Sequence, residues 1–257
     1  MIRVLLLFQF FQPADLAKFH EQRIATLAPG SPQARQAHKD LGLFWLKHNN
    51  PPQAEYHLRQ ALPDPEILPN LAEAVAAQNR HAEADQLFQQ CAQKARCLSR
   101  LAERTQDPAK ALTFLRQALD TEPTPVRKND YAQALHAAGK HKEAEALYRQ
   151  ALREQDPKLP EGAITLNNLA TLLNATERYA EAEPLQRQAL ATMHSTLGPR
   201  HVRTALAASN LADILTARGR KPEAQALYKQ ALKIFEELLP PNHPWTLEAR
   251  AALSPQR

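Results

Sequence analysis

Residues 166–204 and 209–246 are written on one template at a spacing of 42 residues. Asn168 falls on Asn210, Leu169 on Leu211, Ala170 on Ala212 and Leu173 on Leu215. Further on, Glu181-Ala182 falls on Glu223-Ala224, Gln188-Ala189-Leu190 on Gln230-Ala231-Leu232, and His201 on His243. A fixed period of this length is the signature of a stacked array, in which each unit buries its apolar face on its neighbours. It argues against a globular domain built round one active site.

The same skeleton runs through most of the chain as three small residues, the second twelve positions after the first and the third seven after that. The triplets are Gly42-Ala54-Ala61, Ala72-Ala84-Cys91, Ser99-Ala111-Ala118, Ala132-Ala144-Ala151, Ala170-Ala182-Ala189 and Ala212-Ala224-Ala231. A large side chain precedes each first member: Leu41, Leu71, Leu98, Tyr131, Leu169 and Leu211. Small residues at fixed places on two successive helices let their axes approach to the short end of the usual ~8–10 Å range. The large neighbours fill the groove between one pair and the next.

This pattern resembles the tetratricopeptide repeat, a helix–turn–helix unit usually of about 34 residues. The matching residues are Leu41-Gly42 with Trp45, Ala144 with Tyr148 and Ala151, and Ala224 with Tyr228 and Ala231. The NNLA opening, the AEAEPL second helix and the LGPRH and PPNHP connectors are similar to the longer form found in kinesin light chain. The resemblance implies an all-α, right-handed superhelical solenoid of antiparallel helix pairs, about six repeats over residues 33–251 with a capping helix at 245–253. Residues 1–32 would precede the array and 252–257 form a tail.

Local signals agree. Asn50 before Pro51-Pro52 and Asp107 before Pro108 read as N-caps with proline in the first turn. The third repeat is compressed, which predicts a short first helix at about 95–104. Gly139 and Gly219 mark inter-helix turns, and Pro184 is expected inside a second helix, where it removes one hydrogen bond.

Residues 1–12 carry one positive charge ahead of an apolar run at 4–11. That run is too short to span a bilayer, which needs about 20 apolar residues. It reads as the core of a secretory signal peptide, pointing to an exported or periplasmic protein, or else as an apolar helix packed on the first repeat. Cys91 and Cys97 lack zinc-ligand spacing. Cys91 sits at a small-residue position, where a buried thiol packs as a small hydrophobe. A Cys91–Cys97 disulfide is the alternative.

The formal charge of +5 is spread over 32 basic and 27 acidic residues, with no basic block to mark a nucleic-acid footprint. No nucleophile elbow, zinc-protease helix or phosphate-cradling glycine loop occurs, so no enzyme, cofactor or metal site is expected. His201 and His243, in the connectors, read as structural.

The informative row lies two positions before each first small residue: Asp40, Asn70, Cys97, Asp130, Asn168 and Asn210. The resemblance puts first helices on the concave face, where a repeated amide or carboxylate can hydrogen-bond the backbone of an extended peptide. The next row on that face brings Gln133, Thr171 and Asp213, and the one after it His136 and Asn174. An asparagine at this place can equally bond a neighbouring helix. Lys39, Arg96, Arg100 and Arg127 do not form the regular clamp of carboxylate-gripping repeats. The expected function is a non-catalytic scaffold for a protein or peptide. An RNA-binding helical repeat and a self-associating module are the alternatives.

Overall fold

Helices of the expected length follow one another through the chain, and the turns between them explain why. The computed structural model describes residues 13–254. It contains α1 (Pro13–Ala25), α2 (Pro32–Lys47), α3 (Pro51–Gln60), α4 (Leu68–Ala76), α5 (His81–Gln90), α6 (Ala95–Arg104), α7 (Pro108–Thr121) and α8 (Pro125–Ala137). It continues with α9 (His141–Glu154), α10 (Pro160–Ala175), α11 (Tyr179–Leu197), α12 (Val202–Ala217), α13 (Lys221–Leu238) and α14 (Pro244–Leu253). The described residues contain no strand. The apolar run at 4–11 lies outside them.

Five repeats turn from first to second helix through one left-handed residue: Asn49, Asn79, Gly139, Glu177 and Gly219, with φ between 52° and 78°. The following amides bond back five residues, as Lys140 N to Leu135 O, Arg178 N to Leu173 O and Arg220 N to Leu215 O do at 2.8 Å. This closure satisfies the last carbonyls of the first helix and reverses the chain. Asn50 and Asp107 cap α3 and α7 through their side chains, each with proline in the first turn. Helix α11 runs through Pro184.

The skeleton residues are buried except Ser99 and Ala111, both in the compressed third repeat. At Gly42 a Cβ would meet Leu58 Cγ at 2.7 Å, so α2 and α3 are as close as the glycine allows. The chain forms two compact units that divide between Gln106 and Asp107, inside that third repeat. In the first, α1 packs on α2 and the pairs α2–α3 and α4–α5 follow in order, with α6 against α5. In the second, α8–α9, α10–α11 and α12–α13 pack in sequence, and α14 covers α13.

Cys91 and Cys97 are both fully buried in the first unit. Their sulfurs form a disulfide, with the Cα atoms 5.9 Å apart. This corrects the expectation of a free thiol at Cys91. The position is a packing position as expected, but the turn between α5 and α6 brings the second cysteine against it.

A charge network joins second helices at three junctions. Glu55 of α3 binds Arg59 and Arg80, each at 2.8 Å, and both arginines also reach Glu83. Glu145, Arg149, Arg178 and Glu181 repeat it between α9 and α11. Glu183, Arg187, Arg220 and Glu223 repeat it between α11 and α13.

Candidate functional site

In the second unit the first helices α8, α10 and α12 lie side by side. A row of amides fastens them. Asn168 Nδ2 donates to Asn129 Oδ1 at 3.0 Å, and Asn210 Nδ2 makes the same step to Asn167 Oδ1 at 3.0 Å. Asn167 Oδ1 accepts a second bond, from Gln186 Nε2 at 2.8 Å, and that group also reaches Ala207 O at 2.9 Å. Asn168 and Asn210 therefore each hold a neighbouring helix. Sequence reasoning missed their partners, Asn129 and Asn167, one position earlier in the preceding repeats, although the paired NN at 167–168 and the ND at 129–130 were visible signals.

The row borders two clefts. One of about 440 Å3 is lined by Asp130, Gln133 and Asn168, with Asn129, Asn167, Glu161 and Arg203. Another, of about 300 Å3, is lined by Asn210, Asp213, Tyr228 and Glu248. Leu206 and Trp245 line both. The Tyr228 hydroxyl donates to Asp213 Oδ1 at 2.5 Å. Burial first, and then the neighbouring Glu248, hold the Asp213 carboxyl above its ordinary range, with the Tyr228 bond working the other way.

The remaining expected residues do not line these clefts, although Thr171 Oγ1 accepts from Asn210 Nδ2 of the row at 3.4 Å. Thr171 Oγ1 donates to Asn167 O at 2.9 Å, and His136 stacks edge-on against His141. Asn174 Oδ1 is buried without a partner. Asp40 and Asn70 belong to the first unit. Asp40 accepts from Gln36 at 2.8 Å, and Asn70 accepts from Arg96 at 3.1 Å. The cations considered for a carboxylate clamp are all in ion pairs: Lys39 with Asp64, Arg96 and Arg100 with Glu73, and Arg127 with Glu122.

His201 and His243 are N-caps. Their Nδ1 atoms accept from Arg203 N at 3.1 Å and Trp245 N at 3.3 Å. Among the described residues no group of three His, Cys, Asp or Glu side chains could hold a metal ion. No helix among them is long and apolar enough to cross a membrane.

Antiparallel helix pairs on an invariant small-residue register, fastened by repeated amide and charge contacts, define an all-α helical-repeat protein of the solenoid class. Tetratricopeptide-repeat family profiles match residues 163–237 and 129–196. Residues 129–237 are therefore tetratricopeptide repeats. The fold of the chain is similar to that in the crystal structure of the APC/C hetero-tetramer Cut9-Hcn1, at 16% identity and a TM-score of 0.67 over 95% of this chain. This chain spans 46% of that one. It is also similar to the C-terminal part of a TPR repeat-containing protein from Cytophaga hutchinsonii, at 14% identity, a TM-score of 0.59 and 95% coverage of both chains. Comparison with curated proteins gives no match.

Proposed function

We propose that the protein is a non-catalytic scaffold that takes an extended segment of another protein along the α8, α10 and α12 face. Tetratricopeptide repeats are generally protein-interaction modules. The observation that carries the reading is the convergence of Asp130, Gln133, Asn168, Asn210 and Asp213 on two clefts with common walls at Leu206 and Trp245. Asn210 Oδ1 accepts no hydrogen bond among the described residues, which leaves an acceptor for a peptide N–H. Because the amides are already braced, little side-chain ordering accompanies binding.

The test is selection of decapeptides from a random library against the whole protein, followed by Gln133→Trp. Gln133 is exposed on the first cleft, so the indole fills the cleft without entering the core. Selected peptides should lose about tenfold in affinity, or about 1.4 kcal/mol, at unchanged helicity. Peptides that bind parent and variant equally would overturn the assignment.

A further inference from the structure

The two clefts are acid-rimmed on a chain whose formal charge is +5. Asp130 and Glu161 stand on the first and Asp213 and Glu248 on the second, with Arg203 the one base among their lining residues. Most carboxylates on the second helices are neutralised in ion pairs, whereas Glu161 and Glu248 have no side-chain hydrogen bond or ion pair among the described residues. Trp245 stands between the clefts, half-buried and held by ring contacts with Phe235 at 6.0 Å and His243 at 4.8 Å. Glu248 lies three residues further along α14, hence on the same side of that helix. Asp213 reaches the same cleft from α12.

An indole face bordered by two carboxylates suits one kind of ligand group. The ring's negative face attracts an ammonium or guanidinium, and the carboxylates add charge-assisted hydrogen bonds. We infer that the second cleft seats a Lys or Arg side chain over Trp245, between Asp213 and Glu248, and that the segment bound along this face is therefore basic. The inference rests on the groove reading above and specifies its ligand chemistry. A bound cation also removes the repulsion between the two carboxylates that helps to raise the Asp213 carboxyl.

Fluorescence anisotropy of the full chain with three labelled decapeptides tests this: alternating Arg-Ala, its Gln-Ala counterpart and its Glu-Ala counterpart. At low ionic strength the arginine peptide should bind about tenfold tighter than the glutamine one, and the glutamate peptide weakest. Added salt should shrink the difference. The double variant Asp213→Asn/Glu248→Gln should bring arginine and glutamine peptides within about twofold of each other, and Trp245→Leu should weaken the arginine peptide. Glu21→Gln on α1, an exposed acid in the other unit, should change nothing. Equal binding of arginine and glutamine peptides, or a preference that survives the double variant, would overturn this inference and leave the groove standing. Failure of every peptide, selected or designed, to bind would remove the groove reading as well.

Discussion

The Glu183 carboxylate of α11 lies 2.7 Å from Arg220, the residue that precedes α13 in the next repeat. Glu55–Arg80 and Glu145–Arg178 are the same contact in earlier repeats, at 2.8 and 2.7 Å. In each, the acid follows the small residue of one second helix and the arginine stands four before the next repeat's equivalent. Burial alone would raise the Glu183 carboxyl, but Arg187, Arg218 and Arg220 outweigh it and hold the carboxyl below its ordinary range.

Glu183→Gln should therefore destabilise the protein. Loss of one partner from a fully buried pair costs about 3–5 kcal/mol. The arginines here are 39–45% exposed, so about 1–3 kcal/mol is expected. A carboxyl held low in the folded state stabilises it above the unfolded value near ~4.3 and loses that contribution as pH falls through the folded value. Urea unfolding should show the gap between parent and variant at pH 7 and a smaller one at pH 3. No gap at pH 7 would refute the role of the pair.

His57 Nδ1 lies 2.9 Å from His38 Nδ1, so one ring donates and the other accepts. Burial, and then the charge His38 would carry, push His57 down to about 4. With the folded value below the unfolded ~6.5, stability is complete above ~6.5 and drains as pH falls toward 4. His57→Gln should flatten that slope in thermal unfolding followed between pH 7 and 4. An unchanged slope would place the acid sensitivity elsewhere.

Glu177 occupies the left-handed turn, φ 61°, that glycine fills at positions 139 and 219. Side chains with a Cβ resist this conformation by roughly 1–2 kcal/mol, part of which glycine returns through its freer unfolded chain. Glu177→Gly should stabilise by about 0.5–1 kcal/mol, read from the urea midpoint. A lower midpoint would show that the carboxylate makes a compensating contact.

Gly162 lies in the first turn of α10, where a Cβ would stand 2.3 Å from Asp156 O and 2.8 Å from Pro157 Cα. Alanine ordinarily gains about 1 kcal/mol over glycine inside a helix. Here the backbone itself must move, so Gly162→Ala should cost about 1–3 kcal/mol net and lower the melting temperature.

Much of the fold was legible because its signals are local. The small-residue triplets, the caps at Asn50 and Asp107, and the short helix at 95–104 each follow from sequence within a few positions. The charge networks were equally regular in the sequence, yet an isolated E-x-x-x-R or R-x-x-E reads only as a solvated face. They acquire meaning when repeat stacking brings anchor-plus-one against anchor-minus-four. The amide row shows the same limit: Asn168 and Asn210 were singled out, but their acceptors Asn129 and Asn167 emerge only once α8, α10 and α12 lie side by side. The Cys91–Cys97 bond depends on how the chain turns between α5 and α6, which a separation of six residues leaves open.

Within every repeat the intervals of twelve and seven are constant, while the step from one second-helix anchor to the next runs 30, 27, 33, 38 and 42 residues. All added length therefore enters between repeats and beyond the fixed contacts. At about 1.5 Å per residue, α3 with its 10 residues is about 15 Å long and α11 with its 19 about 28 Å. Several walls of the larger cleft come from this surplus: Met193 lies past the last fixed position of α11, Gln155 lies in the connector before α10, and Glu161 and Ile164 lie in α10 ahead of its first fixed position. Register and depth are thus separate variables in this chain. Insertions at the connectors can reshape what the face accepts while every small-residue contact beneath it keeps its partner.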